Sequence, residues 1–161
     1  MVIILMGVSG CGKTTTGKLL SRNLGLPYFD ADDFHPDVNI KKMSAGISLN
    51  DDDRKPWLQT LSEKIMQWNK GDGAVLACSA LKQSYREILQ SKSGAVTFIW
   101  LDGSFELIES RMQKRKDHYM PPGLLQSQFD ALEPPTDAIR VSINQPPESI
   151  LSAILQKMKM A

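Results

Sequence analysis

Residues 2–14 read Val2-Ile3-Ile4-Leu5-Met6-Gly7-Val8-Ser9-Gly10-Cys11-Gly12-Lys13-Thr14. The apolar run is typical of a buried parallel strand, and the eight residues after it fit G-x-x-x-x-G-K-[ST] at every fixed position. The glycines let the backbone wrap a phosphate at the start of a helix. Lys13 supplies a charge for the β- and γ-phosphates, and the Thr14 hydroxyl suits magnesium. We therefore predict a nucleoside triphosphate site over Gly7 to Thr15, with a chance glycine-rich turn as the alternative. Within it, Cys11 is either an oxidisable thiol or a small filler residue.

Apolar runs and helical periodicities alternate along the rest of the chain. Further strands are predicted at Tyr28-Phe29, Ala74–Cys78, Val96–Leu101 and near Val141–Ile143. Helices are predicted at 13–24, at 56–69 with Pro56 in the first turn, at about 82–90, and around Phe105–Met112, Leu124–Leu132 and Ile150–Met158. This alternation predicts a single α/β domain over residues 1–161, built on a parallel sheet.

Composition narrows the class of protein. The chain has 161 residues, and its 19 basic and 18 acidic residues leave a net charge of +1, which gives no general reason to bind nucleic acid or membrane. Two cysteines are too few for a disulfide framework and favour a reducing compartment. The N-terminus lacks the pattern of a signal peptide, and no apolar run approaches the roughly 20 residues that span a bilayer. We expect a cytoplasmic protein that binds neither nucleic acid nor membrane.

Two aspartates end apolar runs and are candidates for a magnesium ligand. Asp102 ends the run Phe98–Leu101 in the manner of a Walker B motif, whereas Asp30 ends a shorter run and opens an acidic cluster. If the chain stays extended from Tyr28 to Asp32, the side chains of Asp30 and Asp32 project to the same side. One would then face magnesium and the other a substrate hydroxyl. We favour this pair, with Asp102 merely ending a strand; an ordinary acidic turn is the alternative for the cluster.

Further charged residues lie where a second substrate is expected. Three aspartates before Arg54 suit a helix start, but that interpretation does not explain Arg54 itself. Ser79 and Lys82 follow the strand Ala74–Cys78, and ligands in open α/β sheets bind beyond the carboxyl ends of strands. Arg86 lies four residues after Lys82, so both share one helix face in this prediction. A solvated helix face is the alternative.

A basic segment, Arg111 to His118, precedes a stretch rich in proline and glycine. This order suits a mobile lid over about 111–132 that delivers arginines to a transferring phosphate. Cations are also favoured at helix C-termini for electrostatic reasons.

Taken together, the segments GVSGCGKT, FDADDFHPDVNIKKM, LNDDDRKPWL, ACSALKQSYR and QFDALE resemble the gluconate kinases, or gluconokinases, of the shikimate-kinase-like P-loop kinases. The resemblance runs from Ile4 to about Gln156. It implies phosphorylation of D-gluconate at its terminal hydroxyl by ATP with Mg²⁺, giving 6-phosphogluconate and ADP. It also implies a five-stranded parallel sheet flanked by helices, a lid, and often a homodimer.

The resemblance further implies roles for individual residues. Gly10 to Thr14 would hold the phosphates, Asp30 would assist Mg²⁺, and Asp32 would meet the attacking hydroxyl. The residues implied around the sugar acid are His35, Arg54, Lys82 and Arg86, joined by Ser79 from the position of its strand; those implied for the lid are Arg111 and Arg115, and those near adenine are Asn144, Gln145 and Pro146. Arginine suits this substrate because it binds a carboxylate through two parallel hydrogen bonds.

Three other functions compete with this interpretation. Shikimate kinase and nucleoside monophosphate kinase have similar folds and different acceptors. A GTPase-like switch is the more distant alternative. A switch would have no need for Arg54, Lys82 and Arg86 together.

Overall fold

A computed structural model describes residues 1–114 and 122–160. Its sheet contains five strands, which are β1 (Val2–Met6), β2 (Tyr28–Asp30), β3 (Ala74–Ala77), β4 (Val96–Asp102) and β5 (Ile139–Ser142). They lie in the order β2-β3-β1-β4-β5, and every neighbouring pair is parallel. The predicted α/β class with a five-stranded parallel sheet is confirmed.

Helices cover both faces of the sheet. They are α1 (Lys13–Leu24), α2 (Asp37–Ser44), α3 (Asp51–Lys70), α4 (Gln83–Leu89), α5 (Phe105–Gln113), α6 (Pro122–Ala131) and α7 (Pro147–Met160). Side chains of the fully buried strand β1 alternate between the two faces: Ile4 packs with residues of α3 and α4, and Ile3 packs with residues of α1, α5 and α7. No helix in the described part of the chain is long and apolar enough to cross a membrane.

Helix α3 begins earlier than predicted, and the reason is a capping box. Asn50 Oδ1 accepts a hydrogen bond from the Asp53 N–H at 2.8 Å, and Asp53 Oδ2 accepts one from the Asn50 N–H at 3.0 Å. Two otherwise unpaired donors are thereby satisfied, so the helix starts at Asp51. The prediction of Pro56 in the first turn was wrong, since it lies inside the helix.

The prediction of an extended chain from Tyr28 to Asp32 was also wrong. Strand β2 ends at Asp30, and a short 3-10 turn over Ala31–Phe34 follows. Asp30 Oδ1 accepts a hydrogen bond from the Asp32 N–H at 2.9 Å, which is the local side-chain bond by which aspartate ends extended structure. Asp30 and Asp32 therefore do not alternate as strand residues.

The carboxyl ends of β1, β2 and β3 meet at one edge of the sheet. Asp30 is in register with Ala77 across the β2–β3 pair. The Gly7 N–H, just after β1, donates to the carbonyl of Ser79, just after β3, at 3.2 Å. This edge is where ligands bind in sheets of this type.

Candidate active site

The loop between β1 and α1 presents an uncapped helix N-terminus. Gly12 adopts φ +97° directly before Lys13, and the first turn of α1 contains neither a side-chain cap nor an acid. Its free N–H groups and the positive end of the helix dipole favour an anion. Lys13 Nζ donates to the carbonyls of Gly7 at 3.0 Å and Val8 at 3.1 Å, so its ammonium lies against this phosphate loop.

Close packing requires glycine where the loop leaves the sheet. Gly7 has φ +147°, and a Cβ atom there would lie 2.8 Å from Cys11 Sγ and 2.9 Å from the Leu101 carbonyl oxygen. Cys11 is buried beneath the loop, and this burial raises the pKa of its thiol. A neutral, enclosed thiol favours the interpretation of Cys11 as a small filler residue.

The acidic turn after β2 lies beside the phosphate loop. Partial loss of hydration, and then the negative charge of Asp30, raise the pKa of Asp32, while His35 and Lys13 act in the opposite direction. The carboxylate of Asp32 nevertheless opens to solvent. Asp32 is thus an accessible carboxylate near Lys13, with an increased tendency to accept a proton.

His35 is enclosed rather than open to the solvent. Its ring stacks on Trp57 with centroids 4.3 Å apart, and its side chain is only 4% exposed. Burial and the charge of Arg54 lower the pKa of His35, and Asp32 opposes them. The ring is therefore neutral near pH 7, and its Nε2 atom lies 3.7 Å from Asp32 Oδ1. This approach places His35 beside Asp32, one of the predicted catalytic residues.

Arg54 and Lys82 come together around Tyr85 and Asp51. Lys82 Nζ lies 3.2 Å from Asp51 Oδ1, and Arg54 Nη1 lies 4.0 Å from the same oxygen. The Tyr85 hydroxyl donates to Asp51 at 2.5 Å and accepts from Arg54 at 3.3 Å. Hydrogen bonds from Tyr85 and Lys82 lower the pKa of Asp51. We call Arg54, Lys82, Tyr85 and Asp51 the acceptor cluster. Its two cations and one carboxylate give it a net charge of +1.

Arg86, predicted to join these cations, is instead buried and bonded to the protein itself. Its side chain is 2% exposed. Nη1 donates to the carbonyls of Ala80 and Leu81 at 2.7 and 3.1 Å, and Nη2 donates to the Glu133 carbonyl at 2.8 Å. Ala80 has φ +45°, a strained conformation for a residue with a side chain. Arg86 therefore holds the loop from Ser79 to Lys82 in shape.

Lys82 and Arg86 do not share a helix face. Lys82 precedes α4 as its N-cap, with φ −100° and ψ 147°, and its side chain turns to Asp51. Ser79 is half-buried, and its carbonyl binds the Gly7 N–H. The loop after β3 thus contacts the phosphate loop at one end and the acceptor cluster at the other.

Asp102, the other candidate for a metal ligand, forms an ion pair with Arg140. Arg140 Nε donates to Asp102 Oδ2 at 2.7 Å, and Nη2 lies 2.5 Å from the same oxygen. Arg140 belongs to the edge strand β5, so this pair joins the ends of β4 and β5. The arrangement supports the interpretation that Asp102 ends a strand.

Arg111 lies beside the segment predicted to approach adenine. Its Nη2 donates to the Ile143 carbonyl at 2.7 Å, directly before Asn144. Gln145 Nε2 donates to the Ser142 carbonyl at 2.8 Å, which shapes the same loop. Arg115 and His118, and with them the middle of the predicted lid, lie outside the described residues.

Two residues of the QFDALE segment make contacts that the sequence analysis missed. Gln128 Oε1 accepts from the Ser9 N–H at 2.6 Å, and Gln128 Nε2 donates to Ser9 Oγ at 2.8 Å. Glu133 Oε1 accepts from the Gln83 N–H at 2.6 Å, at the start of α4. These bonds tie α6 and the residues after it to both the phosphate loop and the loop after β3. Ser9 and Gln128 are 119 positions apart, so no local pattern indicates the contact.

Thr14 and Asp30 fit a magnesium ion that arrives with phosphates. Asp30 Oδ1 accepts the Asp32 N–H, which leaves Asp30 Oδ2 for a ligand. Thr14 is exposed in the first turn of α1. Magnesium usually takes one or two protein oxygens and completes its octahedron with water and substrate phosphates, and this donor set suits that pattern.

A phosphate loop at the carboxyl edge of a parallel sheet, facing an accessible carboxylate and a pair of cations, defines a P-loop kinase that acts on a small acceptor. A family model described as "Shikimate kinase" matches residues 9–158. The "Thermosensitive gluconokinase" of Escherichia coli (strain K12) is 48% identical over 146 residues, covering 88% of this chain and 78% of that protein. The chain belongs to the gluconokinase family of shikimate-kinase-like enzymes, and the resemblance inferred from its motifs is confirmed.

Two further comparisons agree with this placement. The "Gluconokinase" of Arabidopsis thaliana is 44% identical over 171 aligned positions, covering 96% of this chain and 90% of that protein. The crystal structure of a gluconokinase from Sinorhizobium meliloti 1021 superposes with a TM-score of 0.90 at 39% identity. The superposition covers 99% of this chain and 91% of the Sinorhizobium meliloti chain.

Replacing Arg86 by Lys should destabilise the protein, because one ammonium cannot span the carbonyls that the guanidinium binds. We expect the free energy of unfolding in urea to fall by about 3 kcal/mol, since buried acceptors lose their partners. Arg22→Leu, at an exposed arginine on α1, is the control and should shift it by less than about 0.5 kcal/mol. Unchanged stability of Arg86→Lys together with a raised KM for the acceptor would return Arg86 to the substrate site.

Proposed function

We propose that this chain transfers the γ-phosphoryl group of ATP to the terminal hydroxyl of D-gluconate, giving 6-phospho-D-gluconate and ADP. The observation that carries the proposal is the acceptor cluster, in which Arg54 and Lys82 outnumber the carboxylate of Asp51. Its net charge of +1 matches a sugar acid that bears one carboxylate. The curated relatives named gluconokinase support the same acceptor.

In the proposed reaction, the hydroxyl oxygen of gluconate attacks the γ-phosphorus in line with the bond that joins it to ADP. The new P–O bond forms as the bond to the ADP oxygen breaks, and the hydroxyl proton passes to Asp32 and then to water. Asp32 mainly orients the hydroxyl, because phosphoryl transfer depends on positioning and charge neutralisation more than on a strong base. Lys13 and the N–H groups at the start of α1 stabilise the charge that develops on the phosphates.

The remaining roles extend this proposal to the nucleotide. Thr14 and Asp30 would hold Mg²⁺, which would neutralise the negative charge of the phosphates. Arg111 and Arg115 would complete the neutralisation from the lid. Asn144, Gln145 and Pro146 would contact adenine, and the placement of Arg111 next to their loop supports that role. The homodimer that the resemblance implies remains a prediction.

The acceptor preference is tested by measuring ADP release from purified protein with gluconate, glucose, shikimate and nucleoside monophosphates. Gluconate should be the preferred acceptor. Glucose lacks the anion and would leave the excess positive charge of the acceptor cluster unmatched, so its kcat/KM should be lower by roughly 10⁴-fold. Equal use of gluconate and glucose would contradict the proposed role of the carboxylate.

The two candidate carboxylates are separated by a matched pair of substitutions. Asp32→Asn keeps the shape of the side chain and removes the charge that orients the hydroxyl, so kcat should fall by roughly 10²-fold or more while ATP binding changes little. Asp102→Asn should leave kcat near the wild-type value. If Asp102→Asn is the crippling change, the catalytic roles lie on β4 and not on the turn after β2.

Arg54 is tested by replacement with Met, which keeps much of its volume and removes its hydrogen-bond donors. We expect kcat/KM for gluconate to fall by ~10²-fold, in the range for losing one partner of a close charge pair, with little change in ATP affinity. Lys55→Met alters an exposed cation on the same helical turn and serves as the control. Gluconate selectivity that survives Arg54→Met would move the anchor to Lys82.

A further inference from the structure

Asn39 connects the start of α3 to His35. Asn39 lies in α2 and is buried, with only 1% of its surface exposed. Asn39 Nδ2 donates to the Asp53 carbonyl at 2.9 Å and lies 3.2 Å from His35 Nδ1. Asp53 is itself fixed by the capping box with Asn50 and by an ion pair with Lys42 at 2.8 Å. The amide of Asn39 is thus held from a rigid helix terminus.

This contact determines which nitrogen of His35 bears the hydrogen. A backbone carbonyl only accepts hydrogen bonds, so the Asn39 atom that faces Asp53 must be the amide nitrogen and not the oxygen. The same nitrogen faces His35 Nδ1 with its second hydrogen, and Nδ1 must therefore present a lone pair. A neutral imidazole with a free lone pair on Nδ1 carries its hydrogen on Nε2.

The surroundings of His35 keep the ring in that state. Trp57 stacks against it, Arg54 opposes a positive charge on it, and Asp32 is the acidic group that faces it. Protonation of Nδ1 would set an N–H against the N–H of Asn39, so the Asn39 contact also disfavours the charged ring. Nε2 is left directed at Asp32.

We propose that Asn39 is a positioning residue for phosphoryl transfer. It fixes His35 as the Nε2–H tautomer, and His35 in turn aims this N–H at the Asp32 carboxylate. The Nε2–Oδ1 distance of 3.7 Å exceeds that of a hydrogen bond, and such bonds often shorten only when substrate is bound. The Asp32 N–H bonds to Asp30 at 2.9 Å, and this bond fixes the backbone of the turn. His35 then orients the carboxylate of Asp32. The consequence for rate rests on the proposed function, whereas the tautomer does not.

Imidazole ¹⁵N NMR of the full-length protein tests the tautomer without reference to activity. The chain has two histidines, and the signals of His35 are identified by their loss in His35→Gln. The wild-type protein should show a protonated Nε2 and an unprotonated Nδ1 for His35. Asn39→Asp replaces the donor with an acceptor and should move hydrogen to Nδ1. A wild-type ring that carries hydrogen on Nδ1 would overturn the proposal.

Kinetics test the effect on Asp32. Asn39→Leu should lower kcat for gluconate by roughly 10-fold, the lower end of the effect seen when a metal-ligating side chain loses its outer partner, with the KM for ATP unchanged. Asn23→Leu, at an exposed asparagine of α1, is the control and should match the wild type.

A pair of variants at His35 remains informative even if Asn39→Leu does not fold. His35→Gln places an amide N–H near the position of Nε2 and should retain more kcat than His35→Leu, which has no donor. Equal loss in both variants would show a purely structural role and overturn the proposal. An Nε2–H tautomer in a protein that does not phosphorylate gluconate would uphold the Asn39–His35 assignment and refute the proposed function instead.

Discussion

The hydrogen bond from the Gly7 N–H to the Ser79 carbonyl joins the two halves of the site. Gly7 begins the loop that suits phosphates, and Ser79 begins the loop that leads to Lys82. The bond forms because β1 lies between β3 and β4 and is fully buried, so its carboxyl end has a single position relative to β3. A side chain at position 7 would meet Cys11 and the Leu101 backbone, and the resulting shift would separate a donor from its acceptor. Positioning of this kind is the main contribution that a kinase makes to rate.

Charge is separated within the site in a way that suits two anionic substrates. In the proposed function, the start of α1 and Lys13 would bind the phosphates, and Arg54 and Lys82, which both contact Asp51, would bind the acceptor. Without Asp51, two neighbouring cations would repel each other, and their side chains would lose the contacts that fix them. With Asp51 present, the cluster keeps an excess of one positive charge and a defined geometry. A carboxylate entering it gains a cation without having to organise one, which lowers the free-energy cost of binding.

The sheet and the phosphate loop could be predicted because their signals are local. Val2–Met6 is apolar along its whole length, and the glycines and the lysine of the loop form one contiguous motif. The burial of Arg86 could not be predicted, since three of its acceptors are backbone carbonyls, one of them in Glu133. The contact of Gln128 with Ser9 could not be predicted either, because the two residues are 119 positions apart. The spacing of four residues between Lys82 and Arg86 is the same whether Arg86 faces a substrate or the interior, so the sequence does not distinguish the two.

Side-chain caps explain the remaining differences, and they also connect local structure to chemistry. Asp30 ends β2 by accepting the Asp32 N–H, and this turn directs the Asp32 carboxylate toward His35 instead of along the strand. Asn50 and Asp53 start α3 before Pro56, and the early start places the Asp53 carbonyl where Asn39 can bind it. Had α3 begun at Pro56, the Asp53 carbonyl would lie in an irregular loop, and the amide of Asn39 would have no fixed acceptor. Two acids from the charged segments therefore shape the backbone, Asp30 through the turn after β2 and Asp53 through the start of α3. That shape leaves the carboxylate of Asp32 exposed, while Asp51 pairs with Lys82.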